Sequence, residues 1–169
     1  MQITGEYAHV MREENQFVHE VTQIAKDQFK SGFTVDGAHP YLYENPAIAN
    51  HVSGTTFLDM SRQLLKAVTH FFYSAPVSNR FVIRSVNMDF TRWAKLNVPI
   101  EAITDLTPEP KILFGHACLT FQAHITLYQE GWEIGTMSGE FTTFPLEVED
   151  RLMGRQYRQA PRLTPAAVG

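Results

Sequence analysis

Residues 55–72 read TTFLDMSRQLLKAVTHFF, and this stretch decides the fold. At about 100° per residue, Phe57, Met60, Leu64, Ala67, Val68 and Phe71 fall on one face, and Leu58, Leu65 and Phe72 widen it. Asp59, Arg62, Gln63, Lys66, Thr69 and His70 take the other side. The spacing predicts an amphipathic helix. Ser53, Thr55 or Thr56 can cap its start, and Gly54 lets the chain turn in. Ala75-Pro76 marks a stop, because a proline disfavours helical backbone at the residue before it. A helix with one long apolar face has to lay that face on something large.

Downstream, the period drops to 2. Ala117, Leu119, Phe121, Ala123, Ile125 and Leu127 alternate with Cys118, Thr120, Gln122, His124 and Thr126, which predicts a half-buried strand. Glu130-Gly131 reads as a hairpin turn and 132–144 as the returning strand. Within it, Gly135 and Gly139 predict bulges or close backbone approach. In 81–90, Val82, Val86, Met88 and Phe90 share one side, with Arg84 as an odd charge among them. A further strand is expected near Asn97–Thr104.

Upstream, residues 29–35 suit a strand, 17–29 fit a helix or a strand, and 1–16 read as a loosely held arm. Residues 37–54, punctuated by Gly37, Pro40, Pro46 and Gly54, read as a long loop of the kind that often carries function. The expected organisation is an N-terminal arm over 1–16, a single domain over 17–146, and a C-terminal helical turn and tail over 147–169. One helix and several strands that can pair antiparallel make an α+β chain. A sheet wrapped round one long central helix is the hotdog fold, although other α+β packings satisfy the same pattern.

Bulk properties narrow the function classes. The chain has 169 residues, the size of one domain, with 44% hydrophobic and 19% charged residues, an ordinary globular composition. Its formal net charge of −4 lacks the basic footprint of a nucleic-acid binder. Cys118 is the single cysteine, so no intramolecular disulfide forms. The N-terminus lacks the pattern of a secretory signal, and no apolar run is long enough to span a bilayer, so the expectation is a cytoplasmic protein. No cofactor is expected. His116 and His124 share a strand face but lack a third metal ligand nearby.

The segment 51–63, HVSGTTFLDMSRQ, resembles the A-factor biosynthesis (AfsA-like) hotdog family. That family carries His, two residues, Gly, four mostly apolar residues, an acid, two small residues and Arg-Gln. His51, Gly54, Arg62 and Gln63 match without a gap, and Asp59 stands where the family commonly has Glu. Ser53 stands where Pro often precedes the Gly, and Asn50 where Asp often precedes the His. The resemblance spans roughly residues 20–145. It implies acyl-thioester chemistry: transfer of a β-ketoacyl group from an acyl carrier protein to a glycerol-derived phosphate. The expected partners are therefore an acyl carrier protein or acyl-CoA thioester, a small-molecule acceptor, and a second copy of the chain, since many family members hold two hotdog repeats and this chain has room for one.

Such chemistry needs a base for the attacking hydroxyl, donors for an oxyanion, and a groove for the acyl chain. The candidate catalytic residues are His51, Asp59, Arg62 and Gln63. His51 or Asp59 could act as the base, Arg62 could pair with Asp59 or hold a phosphate, and Gln63 could be a site residue or only a hydrogen-bonding strut. The helix N-terminus at 54–56 offers free N–H groups for an oxyanion. Arg84 and Arg92 could meet the phosphate of a carrier arm. The competing readings are an acyl-thioester dehydratase or thioesterase, and a non-catalytic acyl-binding module. Dehydratase-type hotdogs place their loop His further upstream, at about Asn45 here, which is not a His.

Overall fold

A computed structural model describes residues 1–10, 15–39 and 50–159, with the side chains of the last helix described to residue 154. Most of the expected loop before the helix, including Asn45, and the last ten residues of the tail lie outside these. The elements run α1 (Gly5–Ala8), β1 (Val21–Ala25), β2 (Gln28–Phe33), α2 (Gly54–Phe72), β3 (Arg80–Phe90), β4 (Ile100–Leu113), β5 (His116–Gln129), β6 (Trp132–Phe144) and α3 (Leu146–Gln159). The six strands form one antiparallel sheet in the order β1-β2-β4-β5-β6-β3.

The central helix forms where the apolar spacing puts it. Ser53 caps it, its Oγ accepting from Thr56 N–H at 3.2 Å. Phe57, Met60, Leu64, Ala67 and Val68 are buried against Phe29, Ile100, Ala102, Phe121, Ile125, Leu127, Met137 and Phe141 on one face of the sheet. This is the hotdog arrangement, an α+β chain with a sheet curved over one long helix. The described helices include none long and apolar enough to cross a membrane.

The strands depart from expectation in three ways. First, the ambiguous stretch 17–29 contributes β1 and, through a turn with Asp27 at φ 55°, the start of β2. Second, β4 runs on to Leu113 through Pro108 and Pro110, both paired with β5. The Leu106 N–H points away from β5 to Asp27 O at 2.9 Å. Pro108 and Pro110 share its parity, and β2 pairs only as far as Asp105, so their missing N–H groups face an open edge where no bond is lost. Third, a bulge between Ile83 and Ser85 inserts Arg84 as an extra residue. Val82 and Arg84 therefore line the outer face, while Ile83 and Val86 turn toward α2. Arg84 is thus not an odd charge on an apolar face; it bonds Glu140. Gly139 sits opposite this bulge, and a Cβ there would collide with Ser85 O, while one at Gly135 would lie 2.6 Å from Asp89 O. Both glycines permit the close approach their positions predicted.

The N-terminal arm is not loose. The Met1 ammonium donates to Val21 O at 2.8 Å, Ile3 N–H to His19 O at 2.8 Å, and Gln16 Nε2 to Ile3 O at 2.7 Å. Ile3 and Ala8 are buried. The arm lies along α2 on one side and Phe81 of β3 meets Lys66 on the other, so the helix face expected to meet solvent is covered: Gln63, Lys66, Thr69 and His70 are all buried. The C-terminal segment forms a full helix rather than a turn, and Val148 packs with Cys118 and Phe144 on the sheet's outer face. Cys118 is structural there: burial pushes its thiol pKa up, opposed by a backbone hydrogen bond near Leu113.

Candidate functional site

The candidate residues occupy two places around α2. His51 lies in a cleft of about 350 Å³ at the start of the helix, lined by Gly54, Phe57, Phe90, Arg92 and Trp93. Backbone pairing makes this cleft. Val52 N–H donates to Ala94 O at 2.9 Å, which ties the loop before α2 to the segment leaving β3. The His51 and Trp93 rings then meet edge-to-face, 4.3 Å between centroids. Trp93 is 76% exposed, so the cleft opens to water on that side. The Arg92 guanidinium stacks over Trp132 at 4.8 Å. Neither ring nitrogen of His51 is spent on a partner among the described residues.

The helix N-terminus faces the same cleft through Gly54. Of its first three amides, that of Thr56 is taken by the Ser53 cap, so it is not the free donor the sequence suggested. The Gly54 and Thr55 N–H groups find no acceptor among the described residues, and the first turn holds no acid to offset the positive end of the helix dipole. The cleft thus combines an imidazole, the unspent Gly54 amide and an arginine.

Asp59, Arg62 and Gln63 form the second group. Arg62 Nε donates to Asp59 Oδ1 at 2.7 Å, and Gln63 Nε2 to Asp59 Oδ2 at 2.8 Å. Gln63 also donates to Asn15 O at 2.8 Å, and its Oε1 accepts from Phe17 N–H at 2.9 Å. Fully buried and fully bonded, Gln63 clamps the arm onto α2. Asp59 and Arg62 stay partly exposed, with 26% and 29% side-chain accessibility. Arg62 also borders a narrow slot between α2 and β3. No hydrogen bond among the described residues joins His51 to this cluster, and Asp59 does not line the His51 cleft. Within one chain the four residues are two sites, not one.

The other flagged groups fall elsewhere. His70 is buried, with Nε2 2.9 Å from His9 Nε2 and Nδ1 2.8 Å from Ala75 O, which makes it a strut between helix and arm. Among the described residues no group of three or more His, Cys, Asp or Glu side chains could hold a metal ion. Trp93, Phe57 and Phe90 escaped sequence reasoning as cleft residues. Phe57 and Phe90 looked like ordinary core positions, and Trp93 sits in a turn without periodicity.

The family model of the A-factor biosynthesis hotdog domain matches residues 1–145. No curated protein matches the chain. Among solved structures, similarity extends to the dehydratase heterocomplex ApeI:P of Xenorhabdus doucetiae, with TM-score 0.65 and 9% identity over 90% of this chain and 97% of that one. The PaaI protein of the E. coli phenylacetic acid degradation operon gives TM-score 0.52 and 10% identity over 72% and 80%. A hot-dog-like protein of Thermanaerovibrio acidaminovorans gives 0.52 and 14% over 80% and 92%. At these identities the structures share the fold alone, whereas the family match runs from the arm to the end of β6, over the loop His, the capped helix and the arm that closes on it: this chain belongs to the A-factor biosynthesis hotdog domain family.

Proposed function

We propose that the chain acts on acyl thioesters, transferring a β-ketoacyl group from an acyl carrier protein or coenzyme A to a small hydroxylated acceptor such as a glycerol-derived phosphate. The observation that carries this reading is the meeting, in one cleft, of the His51 imidazole with Gly54, whose amide is unspent at the start of the helix. His51 takes the proton of the acceptor hydroxyl, and the oxygen attacks the thioester carbonyl. The carbonyl becomes an oxyanion held by the Gly54 and Thr55 N–H groups at the positive end of the helix. As the tetrahedral centre collapses, the C–S bond breaks and His51 returns the proton to the leaving thiolate. Arg92, at the cleft wall, offers its planar donors to a phosphate. Arg84 is on the outer face and committed to Glu140, so it has no part in this.

Asp59 and Arg62 enter through a second copy. β3 is an edge strand whose Val86 is 43% exposed, and the adjoining slot is lined by Leu58, Leu65 and Ile83. An apolar, unpaired edge of this kind calls for a cover. β3 and α2 lie side by side in opposite directions. Antiparallel pairing of β3 with its copy sets the Phe90 end of one chain beside the Arg80 end of the other, bringing the His51 cleft toward Arg62 of the second copy. We read the working unit as a homodimer. Light scattering is expected to show a dimer that Val86→Glu dissociates, and a monomeric wild type would sink this part of the reading. The similar Xenorhabdus protein is a heterocomplex, so pairing with a different chain is the outcome to distinguish.

The decisive assay mixes the protein with β-ketoacyl thioesters and dihydroxyacetone phosphate and follows products by mass spectrometry. The expected result is an acyl ester that requires the acceptor and disappears in His51→Ala. Free acid without acceptor would assign a thioesterase, loss of water from a β-hydroxyacyl thioester a dehydratase, and binding without turnover an acyl-binding module.

A further inference from the structure

The seam between α2 and β3 holds two cavities, and Phe57 and Phe90 wall the first of them. Along it, Lys66 meets the Phe81 ring, Leu58 and Val86 border one slot, and Phe57 meets Phe90. The His51 cleft occupies the Phe90 end. Beyond it lies the slot, lined by Leu58, Leu65, Ile83, Val86 and Met137 among others, with room for only about 30 Å³. That is roughly the volume of one water molecule in the liquid.

Phe57 and Phe90 wall the cleft and are absent from the slot. Their ring centroids are 5.1 Å apart and the planes are tilted by 36°. The Phe90 ring is seated by two glycines. A Cβ on Gly135 would come within 2.8 Å of Phe90 Cδ1, so the ring lies flat against β6 only because residue 135 has no side chain. On the other side, a Cβ on Gly54 would lie 3.8 Å from both Phe90 Cε2 and Met88 Cε, so the ring edge already reaches the start of the helix. Sheet and helix therefore hold one phenyl ring between them in the wall of the cleft.

We propose that this ring is the stop that sets acyl chain length: the chain takes short-chain acyl thioesters whose tails end against Phe90, and removing the ring would join cleft and slot into a longer channel. The inference rests on the acyl-thioester reading of the His51 cleft. A thioester carbonyl held between His51 and the Gly54–Thr55 amides points its tail along the seam toward Phe57 and Phe90. Each methylene buried there strengthens binding roughly fourfold, while a methylene left in water adds nothing. Affinity therefore climbs with tail length until the tail meets Phe90, then levels off. In Phe90→Ala the climb continues into the Leu58–Val86 slot. Phe90 is 38% exposed at the end of an edge strand, so its truncation leaves the core in place; Phe90→Leu, which fills part of the space, provides an intermediate.

The test measures binding of non-hydrolysable acyl-CoA thioethers from butyl to dodecyl, by calorimetry, to wild type, Phe90→Leu and Phe90→Ala. The expected result is an early plateau for wild type, a later one for Phe90→Leu and the latest for Phe90→Ala. Superimposable profiles for the three proteins, or a wild-type affinity that rises steadily to dodecyl, would overturn the stop while leaving the thioester reading standing. If no thioether of any length binds wild type, the thioester reading falls and takes the stop with it.

Discussion

The two flanks of α2 carry similar side chains and use them in opposite ways. Beneath the N-terminal arm, Gln63, Thr69 and His70 are buried and spend their polar atoms on neighbours: Asn15, Phe17, Lys66 O, Ala75 and His9. At the helix start and along β3, the His51 ring, Gly54 with its unspent amide, and the Arg62 guanidinium border open space. Polar groups that are satisfied inside a fold hold it together and lose freedom to act. Chemistry is left to the side where donors and lone pairs stay uncommitted. The family motif His51–Gln63 straddles both flanks, so its residues divide into a part left open, which we propose reacts, and a part that holds the arm.

Substitution at either end of the motif separates the two. His51→Ala is expected to lower acyl transfer by roughly 10²–10⁴-fold, the usual scale for a general base. It should shift thermal stability by less than about 0.5 kcal/mol, because the ring is half-exposed and makes no hydrogen bond among the described residues. A large stability loss with intact turnover would reverse the assignment of the two flanks. Gln63→Ala should do the opposite. It strands the buried Phe17 N–H and frees the arm, at a cost of about 2–4 kcal/mol in urea unfolding. If Gln63→Ala unfolds like wild type, the arm is not clamped as described.

What could be read in advance follows the range of the interactions. The helix and the β5–β6 hairpin were legible because their periods are local. The cover over the helix was not: Lys66, Thr69 and His70 look like a solvated face, yet His70 meets His9 of the N-terminal arm and Lys66 meets Phe81 of β3. β4 was expected only near Asn97–Thr104, and only the sheet order shows how it can run on through Pro108 and Pro110, which face an open edge. Arg84 was misplaced by a one-residue bulge, which flips every side chain beyond it. In the candidate site, motif spacing singled out His51 and the Asp59–Arg62 pair, yet nothing in the spacing showed that one chain keeps them apart. Trp93 and Phe90 join His51 through the bond between Val52 and Ala94, a pairing no local pattern announces.

The bulge supplies a smaller test on the open flank. Gly139→Ala places a methyl against Ser85 O, and β3 must shift to take it. The expected cost is about 1–3 kcal/mol in stability, with altered association if β3 is, as we propose, the edge that pairs with a second copy. Unchanged stability would mean that the bulge adapts freely and does not fix the strand's register.

The mildest test concerns the covered flank and its protons. A carbonyl oxygen only accepts, so His70 Nδ1 donates to Ala75 O. In a neutral pair, His70 Nε2 is then the acceptor, and the proton between the rings belongs to His9 Nε2. A second proton on His9 is opposed first by burial and then by the charges of Lys66, His70, Arg62 and Arg80, and its pKa falls from 6.5 to about 4. Above 6.5 neither folded nor unfolded chain holds the extra proton, and His9 contributes nothing to the pH dependence. Between 6.5 and about 4 the unfolded chain takes it up and the folded chain does not, so stability drops as the pH falls through that window. The ceiling is about 1.4 kcal/mol per pH unit, and the partial exposure of His9 lowers it, so a total near 1 kcal/mol is the expected scale. His9→Gln removes the titration and should flatten the melting temperature between pH 6.5 and 4 relative to wild type. Identical slopes for the two proteins would mean that the His9–His70 contact does not hold the arm. The covered flank would then owe its closure to Gln63 and the backbone bonds alone.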